Sequence, residues 1–155
     1  LDRASIARCT TVHAGTSPAR PEVMLMPTVS RFMTREPYRI ASTASLEEAR
    51  ALMQQHSIRH LPVMEGDKLL GILSDNDIRI VQAVPGIDLN HVEVSRIVTS
   101  PMCVWGENSL DEVAETMADS KVDCVVVLGG HGVQGIFTSS DALRALGDVL
   151  QRATT

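Results

Sequence analysis

Two stretches of this chain decide its fold when they are set one above the other: PYRIASTASLEEARALMQQHSIRHLPVMEGDKLLGILSDND, residues 37–77, and PMCVWGENSLDEVAETMADSKVDCVVVLGGHGVQGIFTSSD, residues 101–141. At a constant offset of 64 positions, identities fall at Pro37/Pro101, Ser45/Ser109, Leu46/Leu110, Glu48/Glu112, Met53/Met117, Val63/Val127, Gly66/Gly130, Gly71/Gly135, Ile72/Ile136 and Asp77/Asp141. Upstream, VSRFMT from Val29 and VSRIVT from Val94 also match after a one-residue slip. Chance pairing of average compositions would give about two or three identities over this length. The chain is a tandem duplication.

Each copy predicts the same elements. Ser45-x-x-Glu48 and Ser109-x-x-Glu112 read as capping boxes, with the Ser oxygen on the N3 amide and the Glu returning to the cap amide. Behind them Leu46, Ala49 and Met53, and Leu110, Val113, Ala114 and Met117, recur at helical spacing. Two strands follow, 59–64 with 69–73 and 123–128 with 133–138, and then a helix from about Asp75 or from Ser139 or Ser140. With a short strand near 39–41 or 103–105, each unit is β-α-β-β-α, an α/β (α+β) fold. A unit of about sixty residues buries little surface by itself, so the two repeats are expected to pack about a pseudo-two-fold axis. The predicted boundaries are 28–84 for the first repeat, 85–93 for the connection and 94–152 for the second. Residues 1–27 lack periodicity and are expected to be a disordered or extraneous tail.

Bulk composition narrows the function classes. With 155 residues, 44% hydrophobic and 21% charged, the chain has the make-up of a soluble globular protein. Its net charge of −5 argues against nucleic-acid binding, which needs a basic surface. No apolar run reaches the length of a membrane span. Cys9, Cys103 and Cys124 show no C-x-x-C spacing, so they predict neither a disulfide framework nor a zinc knuckle, and they point to a reducing, cytoplasmic setting. Cys103 and Cys124 read as small buried residues of strands. His56 and His60 are four apart, but the second begins a strand, so no metal site is expected.

Gly130, Gly132 and Gly135 satisfy the G-x-G-x-x-G spacing that cradles dinucleotide phosphates, yet the chain after them reads VQGIFT, a strand and not a helix. A hairpin turn explains these glycines, and the first repeat, with GDKLLG in their place, lacks the middle one.

Both second strands end in one formula: Gly71-Ile-Leu-Ser74-Asp-Asn-Asp77 and Gly135-Ile-Phe-Thr138-Ser-Ser-Asp141. The hydroxyl sits where a helix begins, beside unsatisfied amides that favour an anion. The carboxylate three residues on shares its face. Two readings stand together: a helix cap, or a site in which a phosphate takes the hydroxyl and amides while the carboxylate accepts from vicinal ribose hydroxyls.

These residues carry a resemblance. MTREPYRIASTASLEEARALMQQHSIRHLPVMEGDKLLGILSDNDI resembles a cystathionine-β-synthase (CBS) domain and VTSPMCVWGENSLDEVAETMADSKVDCVVVLGGHGVQGIFTSSDAL resembles a second, the tandem pair called a Bateman module. The resemblance implies a regulatory, non-catalytic module that needs no cofactor. It would bind AMP, ADP, ATP or S-adenosylmethionine as regulatory ligand in clefts between the halves, and would often form a homodimer. It gives Asp77 and Asp141 the ribose, Ser74 and Thr138 the phosphate, Arg59 and His60 a phosphate contact from the opposite half, and Tyr38 and Ile40 the adenine slot. Arg59 also reads as a solvated strand-end charge, and Tyr38 as rim packing. The second repeat departs from the pattern, with Asp123 and Cys124 in the places of Arg59 and His60, so the two clefts are expected to be inequivalent.

No effector domain accompanies the repeats in this sequence, so a signal would pass to a partner protein or a second copy. The alternative of another class is a dimerisation scaffold with empty clefts. A metal-dependent hydrolase using Asp75 and Asp77 is disfavoured, because the counterpart of Asp75 is Ser139.

Overall fold

The structure, a computed structural model, describes residues 10–11 and 26–154. Along the chain the elements are β1 (Thr10–Thr11), β2 (Thr34–Arg35), β3 (Ile40–Ala41), α1 (Leu46–His56), β4 (His60–Glu65), β5 (Lys68–Ser74), α2 (Asp75–Gln82), β6 (Met102–Trp105), α3 (Leu110–Ser120), β7 (Cys124–Gly129), β8 (Gly132–Thr138) and α4 (Ser139–Ala153). The β-α-β-β-α order predicted for each repeat is therefore the observed one. Of the expected tail, residues 1–9 and 12–25 lie outside the described residues. No described helix is long and apolar enough to cross a membrane.

The chain divides into two compact units, one of residues 37–101 and one that joins 26–36 to 102–154. In the first, a three-stranded sheet has the order β3-β4-β5, with β3 parallel and β5 antiparallel to β4. Helix α1 lays Leu46, Ala49 and Met53 against Leu61 and Val63 of β4 and Leu73 of β5, all buried. In the second, a five-stranded sheet has the order β1-β6-β7-β8-β2, and Val113 and Met117 of α3 pack with Val125, Val127 and Phe137.

The slipped motif VSRFMT/VSRIVT acquires a physical role here. Val29, ahead of the first repeat, is fully buried in the core of the 102–154 unit, and Val94 is fully buried in the core of the 37–101 unit. Each then sends a short extended segment along the second hairpin strand of its own unit: Thr34 pairs with Ile136, and Thr99 with Ile72. These pairings are equivalent once the one-residue slip is allowed. They also explain two glycines of the shared formula. A Cβ on Gly71 would collide with the Thr99 carbonyl oxygen, and one on Gly135 would stand 2.5 Å from that of Thr34.

Two expectations need correction. Ser45 forms its capping box with Glu48, but Ser109 holds the N-cap position of α3 without a side-chain cap bond, although the first helical amides of both repeats are held alike, Leu46 N–H by the Val92 carbonyl and Leu110 N–H by that of Pro27. Cys103 is not simply a small buried thiol, because it is disulfide-bonded. Sequence spacing is blind to such a bridge, which depends on Cα proximity in the fold. The glycine-rich stretch is the expected hairpin: Gly129 pairs with Gly132, whose φ of 107° lies in the region that favours glycine.

Candidate functional site

Each second strand delivers its hydroxyl residue to the N-cap of the following helix. Ser74, extended at φ −105° and ψ 155°, caps α2, and Thr138, at φ −114° and ψ 167°, caps α4. In the first repeat the Ser74 hydroxyl accepts from Asp77 N–H at 3.1 Å, while Asp77 Oδ2 accepts from Ser74 N–H at 3.0 Å and from its hydroxyl at 2.6 Å. In the second, Asp141 Oδ2 accepts from Thr138 N–H and hydroxyl, both at 3.0 Å, and Thr138 Oγ1 accepts from Asp141 N–H at 3.4 Å. The capping reading of both formulas is thus realised. Each carboxylate lies at the positive end of its helix with one oxygen committed to the cap.

The two boxes differ in what surrounds them. Asp141 is only 4% exposed, and its second oxygen accepts from Arg144 at 3.0 Å. Asp77 is half-buried, and the residue matching Arg144 is Ile80. His60 pairs across the hairpin with Ser74, and the Arg59 carbonyl accepts from Asp75 N–H at 2.8 Å. The matching places beside Thr138 hold Cys124, its strand partner, and Asp123, whose carbonyl accepts from Ser139 N–H at 2.9 Å. Burial, with the Asp141 and Asp123 carboxylates adding to it, pushes the Cys124 thiol up to about 12, so this sulfur is neutral at physiological pH. Within one unit, then, the structure brings Arg59 and His60 to the Ser74–Asp77 box. Within the other it brings an acidic residue and a neutral thiol to the Thr138–Asp141 box.

Tyr38 and Ile40 part company. Ile40 is buried in the core of its unit, whereas Tyr38 is 51% exposed and stacks on His56, with ring centroids 3.7 Å apart and planes 14° from parallel. The stack accounts for His56, the first of the two histidines at metal-ligand spacing, and no group of three metal-ligating side chains occurs among the described residues. Sequence reasoning missed His56 as a ring partner and Arg144 as a carboxylate partner. Only the second left a local signal, since Arg144 follows Asp141 by one helical turn.

A tandem pair of small α/β repeats, each ending in a Ser/Thr-x-x-Asp box, is the class of protein these features define. The CBS domain model matches residues 29–83 and 94–148, and the chain belongs to the CBS domain family. It is 26% identical over 117 residues to the CBS domain-containing protein YhcV of Bacillus subtilis, covering 75% of this chain and 83% of that protein. It is 29% identical over 130 residues to an inosine-5'-monophosphate dehydrogenase of Thermoplasma acidophilum, a match that takes in 81% of this chain but only 26% of the enzyme's length. Among solved structures, the AcuB protein of Vibrio cholerae superposes with a TM-score of 0.73 at 29% identity, over 82% of this chain and 95% of that one. A CBS domain pair in complex with 5'-methylthioadenosine and S-adenosyl-L-methionine superposes with a TM-score of 0.71 at 28% identity, over 79% and 98%.

Proposed function

We infer that this chain is a non-enzymatic regulatory module that takes an adenosine-containing ligand, AMP, ADP, ATP or S-adenosylmethionine, at its Ser/Thr-x-x-Asp boxes. The observation that carries the reading is the duplicated carboxylate of Asp77 and Asp141, fixed by its cap through Oδ2 alone, which leaves Oδ1 outside the cap. Such an oxygen accepts from a ribose hydroxyl, and a phosphate gains from the helix N-terminus and from Arg59 and His60. The solved relative that holds 5'-methylthioadenosine and S-adenosyl-L-methionine supports the choice of ligand class. Tyr38 supplies a flat apolar face for adenine. Ligand binding alters its affinity for an effector protein or a second copy.

A specific observation favours the scaffold as second reading: Leu143, Leu146, Val149 and Leu150 of α4 are 44–69% exposed, more apolar surface than one helix ordinarily shows to water. A thermal-shift panel of AMP, ADP, ATP, S-adenosylmethionine, NADH and GTP separates the two, since a ligand selective for the folded state raises the melting temperature. A rise with adenosine compounds and none with GTP is expected. No rise with any of them leaves the scaffold.

A further inference from the structure

The duplication offers an internal control on its own site chemistry, because each residue of one box has a counterpart at a known place in the other. Arg144 and Ile80 are such counterparts, three residues after Asp141 and Asp77 on the first turns of α4 and α2. Packing demands neither, since Ile80 is 62% exposed and the Arg144 side chain 77%. The chemical consequence falls on the carboxylates. An ionised carboxylate offers about four acceptor positions. Among the described residues Asp77 receives two bonds, both from Ser74 and both on Oδ2, so Oδ1 is open to the two donors of a vicinal diol. Asp141 receives three, the third from Arg144 on Oδ1.

A diol that engages Asp141 with both hydroxyls must therefore turn the guanidinium away. Doing so leaves a carboxylate whose side chain is only 5% exposed without its counter-charge, which is costly. A ligand bearing its own anionic group offers the released guanidinium a new partner, and a neutral ligand does not. Resting on the nucleotide reading above, we propose that Arg144 is a specificity-determining residue: by holding Asp141 Oδ1 it makes the Thr138–Asp141 box favour a diol that carries an anionic group over a neutral one, against the opposing charge of Asp123, whose carboxylate accepts from the Ser139 hydroxyl at 3.2 Å.

Calorimetry of the full chain with adenosine and with AMP tests this, on the parent and on Arg144→Ile, Arg144→Lys, Ile80→Arg and Asp141→Ala. Asp141→Ala is expected to weaken AMP more than adenosine. Arg144→Ile should lower AMP affinity about tenfold, the scale of one charge-assisted hydrogen bond, and leave adenosine unchanged or tighter. Arg144→Lys should retain most of the preference, and raising the salt should shrink it. Ile80→Arg should weaken adenosine at the Asp77 box. Loss of both ligands alike in Arg144→Ile, or of neither, overturns the assignment and leaves nucleotide binding standing. A parent that binds neither ligand removes the nucleotide reading and the assignment with it.

Discussion

Gly71 and Gly135 show how one residue can be fixed by a neighbour far along the chain. Both are identical across the repeats, and both lie under the backbone of the slipped motif, so a methyl group at either place forces a strand aside. Gly135→Ala is expected to cost roughly 2 kcal/mol or more, within the range for overpacking a core. Gly130→Ala, with no atom within 4 Å of its new Cβ and no positive φ, should cost little; denaturant midpoints compare the two. Cys124 carries a second prediction at this scale. Its thiol is raised to about 12 in the folded protein, so it should resist a thiol reagent at pH 8 until denaturant is added. The sign of the linkage follows: a thiol kept neutral when folded costs nothing below the ordinary thiol pKa of about 8.5, and stability falls as pH rises from there towards 12. A urea midpoint that drops between pH 9 and 11, and drops less in Cys124→Ala, is the expected result.

Among the elements, the segment that holds Val29 belongs to a different unit from the repeat it precedes in sequence. The repeat alignment made VSRFMT and VSRIVT legible as a motif, and the five elements of each repeat follow from periodicity and caps, whereas β1 and β2 left no such signal. Where the motif would pack was not legible. Its short apolar run has no period of its own, and only the second hairpin strand, Lys68–Ser74 or Gly132–Thr138, offers it an edge. Val29→Ala is therefore expected to destabilise by roughly 1–2 kcal/mol and to speed amide exchange in β7, β8 and α3, leaving β4 and β5 protected. Faster exchange in β4 and β5 instead would contradict this partition.

For the whole molecule, the exposed side of α4 is the feature that bears on association. Ala145 faces the core while Leu143, Leu146 and Leu150 recur at three and four residues on the open side, a seam suited to a second helix. Gly147 lies in the same stretch with nothing within 4 Å of a built Cβ, and a mid-helix glycine costs about 1 kcal/mol against alanine. Close approach of a second copy's helix would offset that cost, which is the ground for the expected dimer. Sedimentation of the parent should show a dimer, and Leu146→Arg, which places charge on the seam without touching the core, should shift it to monomer with the melting of the monomer retained. An unchanged sedimentation profile would remove α4 from the interface.

The sequence by itself determined the duplication, the β-α-β-β-α order of each repeat, the hairpin nature of GGHGVQG and the place of the Ser/Thr-x-x-Asp boxes, because each of these is written in local spacing. Periodicity of 3.6 or 2, a cap three residues from its partner, and a glycine turn between two β-branched runs are all decided within one helical turn or one hairpin. Only the tertiary structure decided that VSRFMT joins the unit of the other repeat, that Cys103 is bridged, that Tyr38 stacks on His56 while Ile40 enters the core, and that Arg144 holds the buried Asp141 and nothing matches it at Asp77. Most of these contacts join residues remote in sequence, whose meeting depends on burial and chain closure, and even the local Arg144–Asp141 pair draws its weight from how completely the fold takes that carboxylate from water.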